Sequence, residues 1–309
     1  MAPTDTKIPY SASANPEDAH HKVRILAEAL PNMLQYDDKT VVIKFGGNAM
    51  GDHELARAFA QDIVYLKQSG VNPIVVHGGG PQIGRMLEKL EIQSNFVHGL
   101  RVTDKPTVEI VEMVLAGAIN KEIVSAINGQ GGQAVGICGK DANLMIAQKI
   151  TEIPDLESNL MRAVDIGYVG EPVAVNPHIV NVISRSDLIP VIAPIGLSRS
   201  GETLNINADT FASALAKATH AKRLLLLTDV AGVLDKQGRL IPELTVEDAQ
   251  ALMRNGTING GMIPKIEGCI EVVKGGVEAV VIIDGTVPHC VLLELLTEHG
   301  VGTMLRGKP

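Results

Sequence analysis

Residues 40–49 read Thr40-Val41-Val42-Ile43-Lys44-Phe45-Gly46-Gly47-Asn48-Ala49. Five of the first six are β-branched or aromatic, and they run without polar alternation, which predicts a strand covered on both faces. Lys44 is the exception. A cation in such a strand is costly unless an anion compensates it. It stands at the strand's mouth, with only Phe45 between it and two glycines that lead into a helix. Glycine lets the backbone approach a phosphate closely, and a helix start offers unpaired N–H groups to it. The alternative is a glycine-rich turn with Lys44 extended to solvent.

Five further aliphatic runs share the pattern and end in turns rich in Gly, Asp or Asn: Asn72–His77, Gln133–Cys138, Leu188–Pro194, Arg223–Thr228 and Ala279–Asp284. Helical stretches at about 53–69, 81–91, 106–128, 207–219, 262–274 and 288–299 lie between them. The alternation predicts an α/β fold, a three-layer α-β-α sandwich around a central, largely parallel sheet. In such sheets ligands gather at the carboxyl ends of the strands. Ahead of this domain, residues 1–16 read as a mobile tail rich in Ala, Ser, Thr and Pro. Residues 17–36 read as an amphipathic helix, with Val23, Leu26, Leu30 and Met33 or Leu34 near helical spacing.

The chain of 309 residues is 45% hydrophobic and 20% charged, the balance of a globular protein. Aromatics make up 3% and the net charge is -8, which argues against nucleic acid as a partner. A negatively charged substrate must then be met by a local concentration of Lys, Arg and backbone N–H groups. Cys138, Cys269 and Cys290 form no C-x-x-C pair, so reduced, packed thiols are expected. With no apolar leader and no run of membrane-spanning length, the expected address is cytoplasmic, with no membrane partner.

The second strand ends in His77-Gly78-Gly79-Gly80-Pro81-Gln82, a bare backbone nest with Pro at a helix start, suited to an anion. Neither loop is a Walker A motif, the protein-kinase signatures are missing, and the G-x-G-x-x-G spacing of a dinucleotide fingerprint does not occur. Arg101, in Gly99-Leu100-Arg101-Val102-Thr103-Asp104, suits a substrate carboxylate and equally an ion pair with Asp104 or another acid. Leu204-Asn205-Ile206-Asn207-Ala208-Asp209 is polar enough for a site, although Asp209 there also fits a helix N-cap. In Gly260-Gly261-Met262-Ile263-Pro264-Lys265 a second Lys follows a glycine pair. Two cations flanking a migrating phosphoryl group would neutralise its equatorial charge; a surface lysine is the plain alternative.

In this order and at these separations the segments resemble the amino-acid kinase superfamily, and within it the N-acetylglutamate kinases, over roughly residues 22–305. G-L-R-V-T and L-N-I-N-A-D are the parts that point to that branch. The resemblance implies ATP-dependent phosphorylation of the side-chain carboxylate of N-acetyl-L-glutamate, a step of L-arginine biosynthesis. It implies a substrate-binding lobe at about 37–200 and an ATP-binding lobe at about 201–309. Lys44 and Lys265 would stabilise the transition state, with Asp209 holding both. Gly79, Gly80, Arg101, Asn205 and Asn207 would bind substrate. Gly46, Gly47, Thr228, Asp229, Gly232, Gly261 and Met262 would serve ATP, with Mg²⁺ held mainly by the phosphates rather than by a protein metal site. In the arginine-inhibited branch the N-terminal helix joins dimers into a hexamer and borders an effector site, here around His289, Glu294 and Gly302. Feedback inhibition by L-arginine and a dimeric or hexameric homo-oligomer are therefore expected. That branch often has an aromatic residue after Leu-Pro, and this chain has Asn32 there.

Overall fold

The computed structural model describes residues 16–154 and 161–307; apart from Pro16, the expected tail lies outside them. All six strand runs are strands, and they join two short edge segments in one sheet of eight. Its order is Glu243–Thr245, Thr303–Arg306, Ala279–Asp284, Arg223–Thr228, Thr40–Phe45, Asn72–His77, Ile189–Ala193, Ala134–Cys138. Neighbours are parallel except Ala279–Asp284 with Thr303–Arg306. Strand Thr40–Phe45 is central, which places Lys44 in the middle of the carboxyl edge.

Successive side chains of a strand point to opposite faces, and the two cores divide on that rule. Ile43, Phe45, Val75, Val191, Leu225, Leu227, Val281 and Ile283 meet helices His53–Gln68 and Cys290–Leu296 and the long helical segment from Lys105 to Gly129. Val42, Ile74, Val76, Ile192, Leu224, Leu226, Val280 and Ile282 meet helices Ala208–Ala218 and Met262–Lys274 on the other face. Phe45 stacks on Phe59 with ring centroids 3.9 Å apart. Phe211 is fully buried in the second core, where truncation to Ala would cost about 3–5 kcal/mol. Cys138, Cys269 and Cys290 are buried and unpaired, and burial pushes their thiols up to about 11, 12 and 12.

The helix expected at 106–128 is interrupted by a π-type turn, Met113–Ile119. Its buried positions Val111, Leu115, Ile119, Ile123 and Ile127 fall four apart. At 3.6 residues per turn that stripe would drift by about 40° a step, and a wider turn absorbs part of the drift. Four short strands, Met145–Lys149, Val169–Val175, Ile195–Leu197 and Thr203–Ile206, close a small barrel beside the sheet's edge. Glycines permit the closure: a Cβ on Gly196 would lie 2.6 Å from Ile206 Cδ1, and one on Gly170 2.9 Å from Leu204 Cβ.

The N-terminal helix runs Pro16–Tyr36. Tyr36 is buried and Tyr65 Oη donates to Met33 Sδ at 3.8 Å, whereas Val23, Leu26, Leu30 and Leu34 are at least half exposed. Only the last turns are docked, and an apolar stripe is left facing solvent. The C-terminal helix is shorter than expected, Cys290–Leu296: His289 takes a left-handed conformation (φ 59°) at its N-cap, and Thr297 is extended (φ -112°, ψ 157°) at its C-cap. Among the described residues no helix is long and apolar enough to cross a membrane.

Candidate active site

Three elements aim charged side chains at the sheet's carboxyl edge. Lys44 comes from the central strand, Asp209 from the first turn of helix Ala208–Ala218, and Lys265 from the first turn of helix Met262–Lys274. Lys265 Nζ donates to Asp209 Oδ2 at 2.8 Å, and Lys44 Nζ lies 3.0 Å from Oδ1 as an ion pair off hydrogen-bond alignment. Burial alone would raise the Asp209 carboxyl, but Lys44 and then Lys265 outweigh it and hold the group below the usual carboxylate range. Asp209 is not the N-cap of its helix. Asn207 is, accepting from the N–H groups of Asp209 (2.9 Å) and Thr210 (3.1 Å).

The glycine segments border this triad. A Cβ on Gly46 would sit 2.7 Å from Lys44 Nζ; Gly47 has φ 72°, and a Cβ there would meet Asp229 Oδ1 at 2.5 Å. No larger residue fits at either position without moving a charged group. The Gly78 N–H donates to the Phe45 carbonyl at 2.8 Å, so the two nests are stitched together. Helix Gly80–Lys89 starts beside them, with Gly79 at its N-cap and no side-chain cap on its N–H groups. Gly261 opens helix Met262–Lys274 in the same uncapped way. Two helix N-termini and two lysines thus converge on one cleft, an arrangement that holds anions.

Thr228 ends its strand and turns its hydroxyl onto Val230, accepting from that residue's N–H at 3.2 Å. Gly232 is elsewhere in character: its missing side chain makes room for Thr303, whose Oγ1 would lie 2.5 Å from a Cβ there. No group of three or more His, Cys, Asp or Glu able to hold a metal occurs among the described residues.

Arg101 sits on a two-residue hairpin, Phe96–Val97 with Leu100–Arg101. Its guanidinium lies 4.6 Å above the Phe96 ring, donates to the Gly80 carbonyl at 3.0 Å and also meets Ser94 Oγ. The ion pair with Asp104 does not form, since that carboxylate caps the following helix through the Thr107 N–H at 2.9 Å. Burial lowers the guanidinium's affinity for its proton. Asn205, on strand Thr203–Ile206, reaches the same corner through Thr103: its Nδ2 donates to Thr103 Oγ1 at 3.5 Å, and that hydroxyl donates to the Arg101 carbonyl at 2.8 Å. Thr103 was not singled out by sequence reasoning, although it closes the Gly-Leu-Arg-Val-Thr run and is fully buried.

The residues named for an effector lie apart from the lysine–aspartate triad: Glu294 and Gly302 are in contact, and His289 stands at the N-cap of the helix that carries Glu294. Glu294 accepts from the N–H groups of Val301 (2.8 Å) and Gly302 (3.1 Å), and burial pushes its carboxyl up against those donors. His289 Nδ1 is 2.6 Å from the buried Asp62 carboxylate. Asn32 of the N-terminal helix donates to the Leu296 carbonyl at 3.1 Å, tying that helix to the same segment.

The family model for the amino acid kinase family matches residues 39–284. An acetylglutamate kinase of Parvibaculum lavamentivorans is 63% identical over 296 residues, 95% of this chain and 97% of that one. One from Mesorhizobium japonicum is 60% identical over 288 residues, 93% and 97% of the two chains. Among solved structures, N-acetylglutamate synthase from Neisseria gonorrhoeae shares the fold with TM-score 0.79 at 24% identity, covering 93% of this chain and 64% of that one. Carbamate kinase from Giardia lamblia does so with TM-score 0.62 at 19% identity, covering 87% and 99%. The match to the family model over most of the chain, and relatives at this identity over nearly all of it, show that the chain belongs to the amino acid kinase family, among its acetylglutamate kinases.

Proposed function

We propose that the cleft transfers the γ-phosphate of ATP to the side-chain carboxylate of N-acetyl-L-glutamate, giving N-acetyl-L-glutamyl 5-phosphate and ADP, a step of L-arginine biosynthesis. The observation that carries the reading is that Lys44 and Lys265 share one carboxylate, Asp209, at the mouth of two glycine nests. A carboxylate is already ionised at neutral pH, so no base has to remove a proton from it. A carboxylate oxygen attacks the γ-phosphorus, the bond to the β,γ-bridging oxygen breaks, and ADP leaves with that electron pair. The obstacle is repulsion between two anions, about 4 kcal/mol at 4 Å for an effective dielectric near 20. Two lysines and two helix N-termini offset it without further reorganisation.

In this reading the lobe at about 37–200 binds the acyl substrate through Gly79, Gly80 and Arg101, joined by Asn205 and Asn207 from just beyond it, and Arg101 pairs with a carboxylate. The lobe at about 201–309 binds ATP, with Thr228, Asp229, Gly232, Gly261 and Met262 around the nucleotide and Gly46 and Gly47 at the transferring group. Mg²⁺ enters on the phosphates. L-Arginine acts as feedback inhibitor at the cluster of His289, Glu294 and Gly302. The exposed stripe Val23, Leu26, Leu30 supports a homo-oligomer, a hexamer of linked dimers, and the enzyme works in the cytoplasm. The direct test is hydroxylamine trapping: the enzyme with ATP, Mg²⁺ and N-acetyl-L-glutamate forms a hydroxamate. Absence of that product, or equal product from glutamate, aspartate or carbamate, rejects the assignment.

A further inference from the structure

His77 ends the second strand, fully buried beneath the glycine nest. Its hydrogen-bonding state follows from its neighbours. Asn120, also fully buried, lies just beyond the π-type turn. Its Oδ1 accepts from Lys121 Nζ at 3.0 Å, and its Nδ2 donates to the Val191 carbonyl at 3.0 Å. A lysine only donates and a carbonyl only accepts, so the amide has one orientation. The same Nδ2, which also lies 3.4 Å from the Ile137 carbonyl, is 3.2 Å from His77 Nε2; an amide nitrogen cannot accept, so Nε2 faces it with its lone pair. The proton is then on Nδ1, which donates to the Gly78 carbonyl at 2.9 Å. Burial lowers the imidazole to about 4, so the ring is neutral and this tautomer persists across the working range. Gly136 is the clearance for the arrangement, since a Cβ there would strike Asn120 Oδ1.

Both peptide groups of Gly78 are thus committed, its N–H to the Phe45 carbonyl and its carbonyl to His77. In a trans peptide the carbonyl and the next N–H point in opposite directions, and the described chain has no cis bond. A Gly78 carbonyl drawn into the interior turns the Gly79 N–H outward, away from the core. We infer that His77 is a positioning residue for phosphoryl transfer: through Asn120 and the Gly78 carbonyl it aims the Gly79 N–H at the anion in the cleft. The inference rests on the phosphotransfer reading of that nest. The π-type turn delivers Asn120 to the imidazole while packing its own Leu115 and Ile119 against Gly79, where a Cβ would lie 2.6 and 2.5 Å from their methyls.

The test compares two near-isosteres in the full-length enzyme. Asn places an amide N–H where His77 Nδ1 stands, and Leu fills the same space without a donor. His77→Leu should lower kcat on the order of a hundredfold, as misplacement of a stabilising group does, while KM for ATP changes little; His77→Asn should retain most of the parent kcat. Nitrogen NMR of the parent should show Nδ1 protonated and Nε2 bare from about pH 5.5 to 8. Equal kcat in the two variants, or a proton on Nε2, overturns the inference. Should His77→Leu fail to fold, the spectrum and the Asn variant decide. The spectrum needs no substrate, so a parent enzyme that forms no hydroxamate would count against the substrate assignment alone.

Discussion

Lys265 donates to Asp209 across 2.8 Å, and the two residues occupy the first turns of different helices. The contact pins two helix N-termini to each other at the cleft, and it leaves Lys265 with two of its three ammonium hydrogens for a phosphate oxygen. The lysine is oriented before substrate arrives.

Lys265→Ala should therefore lower kcat by about 10²- to 10³-fold, the usual loss when one stabilising donor is removed, and Lys44→Ala should do the same. The double variant should fall well short of the product of the two losses, because both lysines act on one group through one carboxylate. Rates of hydroxamate formation measure all three. Full multiplicativity would show that the lysines work independently.

The Asp209 carboxyl is held below its ordinary 3.8, chiefly by Lys44 and Lys265 acting against burial. For an acid whose folded value is depressed, the stabilising contribution is present above the unfolded value and is lost as pH falls through the folded one. The gap in thermal midpoint between the parent and Asp209→Asn should be constant from neutral pH to about 4 and close only below that. A gap that shrinks between pH 7 and 5 would assign the stability to other groups.

Arg101→Lys should raise KM for N-acetyl-L-glutamate about tenfold or more, the value of a charge-assisted hydrogen bond, and leave KM for ATP near the parent's. A lysine keeps the charge but cannot stack on Phe96 while donating to Gly80 and to a carboxylate in a planar fork. Steady-state kinetics with each substrate varied separately settle it; a matching rise for ATP would place Arg101 in general support of the cleft.

Glu294 titrates above its ordinary 4.5 because burial outweighs the Val301 and Gly302 N–H donors. A raised folded value means the folded chain binds this proton more tightly than the unfolded one, so a guanidinium that pairs with the ionised group competes with a proton. Inhibition by L-arginine should weaken as pH falls from neutral toward 5, and Glu294→Gln should lose the inhibition while keeping catalysis. Inhibition curves that superimpose at both pH values would move the effector elsewhere.

Replacing Leu26 and Leu30 by Glu breaks the exposed stripe without touching the docked end of the helix. Light scattering should report a smaller assembly with kcat intact. An unchanged mass would mean that the stripe is not the joining surface.

The main sheet was legible because its strands are continuous aliphatic runs whose burial on both faces leaves no other reading. Lys44 was legible for the same reason: a charge interrupts such a run only where something compensates it. The barrel was not. Met145–Lys149 and Val169–Val175 carry Gln148, Lys149, Glu171 and Pro172 among their apolar residues, and their closure depends on Gly170 and Gly196 meeting side chains from distant segments. Asn120 and Lys121 stand in no recognisable motif, although Asn120 shares a helix face with the buried Ile123 and Ile127, three and seven residues on. Asp62, in a helix full of charges, gives no sign in the sequence that it alone is fully buried.

The strands on one side of the central pair come from residues 40–193 and those on the other from residues 223–306, and the seam between them is a ladder, Val41 with Arg223 through Lys44 with Leu226. Two bodies welded along a parallel ladder have no free joint to swing on. Any narrowing of the cleft has to be spread over the twist of the whole sheet, so that the separation of the glycine nests from the helix start at Gly261 becomes an elastic property of hydrogen-bonded strands.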